Sequence, residues 1–243
     1  MKIFYELLVK ISGEERSVFF GIPEKEEELN RMFMLRREVY KKNGYISSDS
    51  DKDEYDKNGK SVYFVAEVGE KTVGTVRLIR DEPLPTQRDF DFQEPEEIKV
   101  IPSNKRGELG RLVSVQYKEN IYFPRHLVLL FLLTSVAKYS KENGVIGGYS
   151  FVTTKLYDKI KKLNIPFKVV DNFKQIYPKE GVLYPYFNQK DNKILPIYYK
   201  ADRIQVFLDK ILGNRRIFED MGNCKFKLKN SLYNKFLKLL KII

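Results

Sequence analysis

Alternating apolar and polar positions predict three strands in the first third of the chain. Residues 3–9 alternate in part, which indicates an opening strand. Residues 62–68 and 72–79 alternate more clearly on either side of the short turn 69–71, which carries a glycine. Two such runs joined by a tight, glycine-containing turn are typical of a β-hairpin.

Helical spacing of apolar residues marks two longer helices. Residues 24–43 begin with four glutamates, which complement a helix dipole, and the pattern stops at Gly44. Residues 125–142 follow Pro124, are apolar on most faces and stop before Gly144. The sequence therefore predicts one amphipathic helix and one central, buried helix.

The remaining segments complete an α/β pattern. Residues 47–59 are an aspartate-rich loop, and residues 81–107 are a proline-rich excursion, which in compact domains is often functional. The other expected elements are strands at 109–117, 145–152, 166–170 and 182–187 and a helix at 155–163. This order is typical of the acyltransferase fold, whose mixed central sheet is splayed and flanked by helices. We expect that domain over residues 1–200 and a helical extension packed on it over 201–243.

Composition restricts the class of protein. The 243 residues are 42% hydrophobic and 32% charged, as in an ordinary globular chain. A single cysteine, Cys224, excludes an intrachain disulfide. Charged residues interrupt the N-terminus too often for a secretion signal, and the longest apolar stretch, 127–137, is about half of what a membrane span needs. We expect a soluble, cytoplasmic protein.

Charge is divided unequally between the two parts of the chain. Residues 1–100 carry 17 Lys and Arg against 22 Asp and Glu, whereas residues 101–243 carry 27 against 11. Residues 101–243 therefore have a net charge of +16, which favours an acidic partner. This partner could be a nucleic acid, a membrane surface or an acidic protein. Lysine-rich composition is also common in proteins from AT-rich genomes, so the charge alone does not choose among these.

Several charged residues stand where packing does not explain them. They are Arg36 in the first helix, Asp53 and Asp56 in the loop, Arg77 in the second hairpin strand, and Glu108 and Arg111 in the next strand. An arginine within an apolar strand needs a partner, because an unpaired buried charge is costly. These residues are therefore expected to meet, either as a purely structural ion-pair network or as a substrate site.

The motifs around these residues resemble a known family. The runs are LRREVY at 35–40, DEYD at 53–56, GTVRLI at 74–79, ELGRL at 108–112, and the segment 155–199 that ends in KILPIYY. Their order and spacing resemble the acyl-homoserine lactone synthases and the N-acyl amino acid synthases, over roughly residues 30–200. Both groups have the GNAT-like (acyl-CoA N-acyltransferase) fold, so the resemblance implies that fold and an acyl transfer reaction.

The resemblance implies a role for each matching residue. Arg36, Asp53, Asp56, Arg77, Glu108 and Arg111 match the family pattern. Tyr40 stands where phenylalanine is usual, Tyr45 replaces a tryptophan, and Gly110 replaces a small hydroxyl residue. These departures fall near the expected substrate pocket, so they concern the identity of the acyl acceptor more than the fold.

The implied chemistry is attack of an amine on a thioester. The amine must lose a proton, for which Glu108 is the first candidate base, acting through a water, and Asp53 the second. Backbone amides of Val113, Ser114 and Val115 would stabilise the oxyanion. The three arginines would hold the loop and the carboxylate of the acceptor.

The acyl donor is expected to be acyl carrier protein. Acetyltransferases of this fold that use coenzyme A commonly have a glycine-rich turn for the pyrophosphate, and residues 117–125 contain no glycine. Carrier protein is acidic, and the candidate docking residues are Lys118, Arg125, Lys155, Lys159, Lys161 and Lys162. No cofactor is expected. No metal is expected either, because the acidic loop lacks the glycine and the glutamate of a calcium loop.

The C-terminal segment 225–243 has an amphipathic pattern. Leu232, Phe236, Leu239 and Ile243 share one helical face, with lysines around it. Such a helix could rest on the anionic inner face of a membrane, dock the carrier, or pack on the domain.

Together these features predict an N-acyltransferase that moves a fatty acyl group from acyl carrier protein to an amino acid or a related small amine. One alternative is an acyl-homoserine lactone (autoinducer) synthase with S-adenosylmethionine as acceptor. A second alternative is a non-catalytic basic module for nucleic acid or membrane, although the chain shows no recognisable reading helix or aromatic RNA motif. We therefore expect no nucleic-acid partner.

Overall fold

The computed structural model describes residues 1–11, 14–115 and 125–229. Twelve strands lie in this part of the chain: β1 Lys2–Ile11, β2 Glu14–Ile22, β3 Ser61–Val68, β4 Lys71–Ile79, β5 Phe90–Asp91, β6 Arg106–Ser114, β7 Gly147–Thr153, β8 Phe167–Val169, β9 Lys174–Gln175, β10 Ile194–Lys200, β11 Phe218–Asp220 and β12 Lys225–Leu228. The helices are α1 Glu26–Lys42, α2 Pro85–Asp89, α3 Glu96–Lys99, α4 Arg125–Glu142, α5 Thr154–Lys162, α6 Tyr184–Phe187 and α7 Ala201–Leu212. Two 3-10 turns, Glu54–Asp56 and Ser103–Lys105, complete the set.

Ten strands form one mixed sheet in the order β11-β12-β1-β2-β3-β4-β6-β7-β10-β8. Neighbours are antiparallel except for β1 with β12 and β6 with β7, which are parallel. Strands β5 and β9 form a separate small ladder. The expected mixed sheet flanked by helices is thus confirmed.

Helix α4 is the centre of the hydrophobic core. It contacts β1, β2, β3, β4 and β6 as well as α7. Phe131 is fully buried, stacks on Phe20 with ring centroids 5.0 Å apart, and meets Phe218 and Phe226 edge to face. The prediction of a buried central helix over 125–142 is confirmed. Because the last two strands pack on the same phenylalanine, the C-terminal part shares the main core.

The sheet opens between β6 and β7. These strands pair only from Arg106–Gly147 to Leu109–Ser150, whereas β6 stays paired with β4 as far as Ser114. The paired end is closely packed, since a Cβ on Gly148 would lie 1.8 Å from the carbonyl oxygen of Gly107. Beyond it, β6 has a bulge at Arg111, whose φ is 55°. The two strands therefore diverge over the second half of β6 and leave a cleft.

Some of the other sequence predictions are confirmed and others are wrong. The hairpin, the first helix and the strands near 109–117, 145–152 and 166–170 are present within a few residues. Strands β2 and β10 were not predicted. The strand predicted at 182–187 is wrong, because residues 184–187 form a helical turn that begins with Pro185 near its first position. Residues 201–243 are helical only at 201–212 and then contribute β11 and β12 to the sheet, while 230–243 lie outside the described residues.

Candidate active site

Three arginines from three different elements converge on the loop of residues 51–56. Arg36 comes from α1, Arg77 from β4 and Arg111 from the bulge of β6. Each is at most 5% exposed, so each needs a counter-charge within the protein. The aspartates of the loop supply it.

Arg36 fixes both ends of the loop to α1. Its Nε donates to Asp51 Oδ2, and its Nη1 and Nη2 donate to the two oxygens of Asp56 at 3.1 and 2.7 Å. The hydroxyl of Tyr63 donates to Asp56 Oδ1 at 2.8 Å. Because all three nitrogens of its guanidinium group already donate to aspartates, Arg36 has a positioning role and does not hold substrate.

Arg77 and Arg111 share Asp53. Arg77 donates to its two oxygens at 2.7 and 2.8 Å and also lies 2.9 Å from Asp56 Oδ1. Arg111 Nη2 donates to Asp53 Oδ2 at 2.8 Å. The backbone amides of Asp53 and Asp56 donate to each other's carboxylates at 3.0 and 3.2 Å, which closes the 3-10 turn. The structure thus brings five of the six predicted residues into one ion-pair network, while Glu108 lines the same cavity and accepts its hydrogen bond from Thr86.

The two aspartates stay ionised in this setting. Burial alone would raise the pKa of each, but the hydrogen bonds and charge of Arg77, together with Arg111 for Asp53 and Arg36 for Asp56, outweigh burial and lower both pKa values. A carboxylate held by two guanidinium groups is a weak proton acceptor. The geometry therefore disfavours Asp53 as the second candidate base and makes it the anchor of the arginines.

Glu108 has the opposite environment. Its side chain is 1% exposed, and burial raises its pKa to about 8 although the backbone N–H of Thr86 donates to its Oε2 at 2.7 Å. The negative charge of Asp89 adds to this rise, and Arg77 counteracts it. A carboxyl group that titrates near neutrality suits proton transfer, as predicted for Glu108 from the sequence.

A cavity of about 1110 Å³ joins these groups in the cleft between β6 and β7. Its polar part is lined by Asp53, Arg77, Asp89, Glu108 and Arg111. Its apolar lining, called the apolar branch below, comes from α4, α5, β8, β10 and a neighbouring residue: Leu129, Leu133, Ile160, Ile165, Phe167 and Ile197. One cavity thus presents both buried charges and a hydrophobic branch, which suits an amphipathic ligand.

Aromatic rings form the wall opposite Glu108. Tyr40 and Tyr45 meet edge to face at 5.6 Å, and Tyr45 meets Tyr186 in the same way at 4.9 Å. The guanidinium group of Arg111 lies over the ring of Tyr40, 5.3 Å from its centroid. All four residues line the cavity. Tyr45, which the sequence analysis expected near a substrate pocket, therefore lines this cavity.

Arg111 has two unused donors, whereas Arg77 has one, its Nε. The Nε and Nη1 of Arg111 are buried and have no hydrogen-bond partner among the described residues. Leaving buried donors unpaired is costly, so such atoms indicate a missing ligand. Since Arg111 lines the cavity, an anionic group of a ligand would satisfy them.

The strand after Arg111 was predicted to supply oxyanion donors. Val113 and Ser114 line the cavity. The N–H of Val115 donates to Val73 O at 3.0 Å, which leaves it unavailable for a substrate oxygen. Because hydrogen-bonded pairs alternate along an antiparallel ladder, the N–H of Ser114 points away from β4, towards the cleft.

Two of the predicted docking lysines line the cavity, and two more follow them on the same helix. Lys155 and Lys159 are exposed and line the cavity, and Lys161 and Lys162 are exposed at the end of the same helix, α5. Arg125 begins α4. Lys118 and most of the segment 225–243 lie outside the described residues, so the predicted tail contacts stay predictions.

Sequence reasoning missed three residues of the site. Asp51 pairs with Arg36, Tyr186 forms part of the aromatic wall, and Asp89 lies in the cavity beside Glu108. Each comes from a segment without a clear periodic pattern. Asp51 alone had a signal, since it is the first acid of the run DKDEYD.

Neither metal ligation nor membrane spanning has a structural signal in residues 1–11, 14–115 and 125–229. No cluster of three or more His, Cys, Asp or Glu side chains there could hold a metal ion. No helix in that part is long and apolar enough to cross a membrane.

Glu108 makes the stability of the fold depend on pH. Its pKa is about 8 in the folded protein but about 4.3 in an unfolded chain, so between these values the folded state binds more protons. Stability therefore decreases as pH rises through this window. We expect Glu108→Gln, which cannot ionise, to be at least about 1 kcal/mol more stable than the wild type at pH 9 and similar at pH 4.5, measured by urea unfolding.

Glu38→Gln on the exposed face of α1 is the matched control and should show no such difference. Equal stability of Glu108→Gln and wild type at both pH values would show that Glu108 ionises normally.

Comparison with known proteins agrees with this geometry. Residues 31–122 match the family model of N-acyl amino acid synthase FeeM. No curated protein sequence gives a significant match.

Solved structures share the fold at low sequence identity. The acyl-homoserine lactone synthase LasI superposes with a TM-score of 0.56 at 14% identity, over 79% of this chain and 95% of LasI. FeeM, an N-acyl amino acid synthase from uncultured soil microbes, gives 0.53 at 16% identity, over 76% and 90%. BjaI, a CoA-dependent acyl-homoserine lactone synthase bound to SAM and isopentyl-CoA, gives 0.51 at 16% identity, over 87% and 92%.

The family match spans α1, the aspartate loop, the hairpin and β6, which are the elements that carry the arginines and Glu108. The chain therefore shares the fold of the acyl-homoserine lactone synthase LasI and of FeeM, and its residues 31–122 are similar to the N-acyl amino acid synthase family.

Proposed function

We propose that the protein moves a fatty acyl group from the thioester of acyl carrier protein to the amine of an amino acid or a related small molecule. The observation that carries this proposal is the single cavity in which Glu108 and the unused donors of Arg111 share space with an apolar branch. A carboxylated amine fits the polar part, and a fatty acyl chain fits the branch.

Arg111 would bind the carboxylate of the acceptor. Its Nε and Nη1 are unused donors on different edges of the guanidinium group, and an oxygen of a carboxylate could accept from either. Tyr40 below the guanidinium group and Asp53 at Nη2 hold its orientation. This narrows the sequence hypothesis, in which all three arginines could hold the acceptor, to one of them.

Glu108 would accept a proton from the acceptor nitrogen. In the reaction the nitrogen attacks the thioester carbonyl carbon, a C–N bond forms, the C–S bond breaks, and the donor leaves as a thiol. An amine is mostly protonated at neutral pH, so a nearby group with a matched pKa is needed. The pKa of about 8 at Glu108 meets that need.

The apolar branch would bind the acyl chain. It is lined by side chains of α4, α5 and the sheet, including Leu133, Ile160 and Ile197. Burying a CH₂ group contributes about 0.8 kcal/mol, so a long chain would gain much of its affinity here. This supports a fatty acyl donor over an acetyl donor.

The exposed lysines of α5 support a protein donor. Lys155 and Lys159 stand at the cavity mouth, where an acidic carrier would deliver its acyl group. The glycine-free segment 117–125 also disfavours a pyrophosphate site. We infer that the enzyme works in the cytoplasm. The competing donor, which the first test below includes, is acyl-CoA.

The first test is a product assay. The wild type is incubated with medium- and long-chain acyl carrier protein or acyl-CoA, together with a pool of amino acids and S-adenosylmethionine. We expect N-acyl amino acids from the carrier-bound donor, identified by mass spectrometry. An acyl-homoserine lactone would instead support the autoinducer synthase alternative, and no amide at all would contradict the proposal. Preference for acyl-CoA would overturn the choice of donor.

The second test concerns the acceptor carboxylate. Arg111→Met keeps the bulk of the side chain and removes the donors, while Asp53 keeps its two bonds from Arg77. We expect the KM for the acceptor to rise at least about tenfold, because a charge-assisted hydrogen bond is lost. Arg37→Met on the exposed face of α1 is the control. An unchanged acceptor KM would remove Arg111 from the carboxylate site.

The third test concerns donor docking. The double substitution Lys155→Glu and Lys159→Glu should raise the KM for acyl carrier protein at least about tenfold, since two attractive contacts become repulsive. The effect should weaken with salt. Lys210→Glu, exposed on α7, serves as control. An unchanged KM would place the docking surface elsewhere.

A further inference from the structure

A second carboxyl group, Asp89, lies in the cavity wall beside Glu108. It is the last residue of α2 and is 3% exposed. Thr86, three residues earlier in the same helix, donates its backbone N–H to Glu108 Oε2 at 2.7 Å. The short helix α2 therefore binds Glu108 through a backbone amide and also carries Asp89, and both carboxyl groups line the same cavity.

Asp89 is less firmly paired than the loop aspartates. Its Oδ1 accepts a hydrogen bond from Arg88 Nε at 3.1 Å. Arg88 is itself 42% exposed at the side chain and is shared with Glu54, whereas Asp53 is held by two buried arginines. A buried carboxylate with one shared, half-exposed counter-charge can still take up a proton.

The charged and titratable groups around Asp89 come from several elements. They are Arg88 on its own helix, Glu54 and Tyr55 in the 3-10 turn, Asp53 in the loop, Glu108 on β6 and Tyr177 after β9. Burial is the main cause that raises the pKa of Asp89 to about 6, and Arg88 counteracts it. With Glu108 near 8, the two carboxyl groups together hold about one proton between pH 6 and 8.

Amide formation removes two protons from the acceptor nitrogen. The ammonium group loses one before the nitrogen can attack, and the nitrogen loses the other when the C–N bond has formed. One proton goes to the sulfur that leaves as a thiol, and the other is released to water. A single carboxylate can hold only one of these protons at a time.

We propose that Asp89 is the second proton-accepting group of the site and works as a pair with Glu108. Asp89 takes the first proton from the nitrogen, Glu108 gives the proton it holds to the leaving sulfur and then takes the second proton from the nitrogen, and one proton is finally released to water. This rests on the proposed N-acyl transfer. Both members of the pair line one cavity, Asp89 lies in α2, and Glu108 accepts a hydrogen bond from the same helix.

The test compares Asp89→Asn, Asp89→Glu and the control Asp91→Asn, which alters an exposed acid two residues along. We expect Asp89→Asn to lower kcat at least about tenfold with each KM changed less than about threefold. When kcat/KM of Asp89→Asn is plotted against pH between 5 and 9, the acidic limb should lie at lower pH than in the wild type. The reason is that a negative charge near Glu108 has been removed. Asp89→Glu should restore a large part of kcat, and Asp91→Asn should match the wild type.

A readout without turnover separates this proposal from the proposed function. Carboxyl ¹³C NMR of labelled protein should show that Asp89→Asn lowers the pKa of Glu108, while thermal unfolding checks that the variant is folded. An unmoved Glu108 titration, or a loss of kcat with an unmoved pH profile, would overturn the pair and leave Asp89 as a residue that only orders Arg88. Absence of any amide from the wild type would instead contradict the transfer reaction.

Discussion

The site depends on one buried network of arginines and aspartates. Arg36, Arg77 and Arg111 are removed from water, and a buried guanidinium group is tolerated only with counter-charges and hydrogen bonds in place. The carboxylates of Asp53 and Asp56 supply these, so the loop that bears them has to lie against α1, β4 and β6 at once. The network therefore holds a segment with almost no regular structure in a single position and forms the polar floor of the cavity.

The opening of the sheet places a cleft next to this polar floor. Strands β6 and β7 are parallel and pair over four positions, and the bulge at Arg111 then turns β6 away. A continuous sheet would have filled this space with backbone hydrogen bonds. Because the strands part, Ser114 and Val113 face a cleft, and α4 and α5 line its deeper end with apolar side chains. Charged and hydrophobic substrate parts can thus meet at one strand.

Two kinds of carboxyl group lie within this small region. Those that contact two guanidinium groups have lowered pKa values and act as fixed charges. Glu108 and Asp89 are buried against the short helix α2 with weaker compensation, and their pKa values rise to about 8 and about 6. Opposite shifts of neighbouring acids commonly separate structural from proton-transferring roles. Arg111 is linked to the fixed charges and is also open to a ligand, since one of its nitrogens donates to Asp53 and the other two remain unused.

Sequence by itself determined the elements with strong periodicity and the identity of the charged residues that had to meet. The helices at 26–42 and 125–142, the hairpin and the set Arg36, Asp53, Asp56, Arg77, Glu108 and Arg111 all followed from local pattern and from the cost of burying charge. It did not determine which guanidinium nitrogens stay unused, that Asp53 is ionised and held by two arginines, or that Asp89 lines the same cavity as Glu108, because these depend on distances between segments remote in the chain. Short segments behaved in the same way: 182–187 is apolar enough for a strand, but Pro185 and burial against neighbouring aromatic rings select a helical turn. Tertiary contacts decide wherever the local free-energy differences are small.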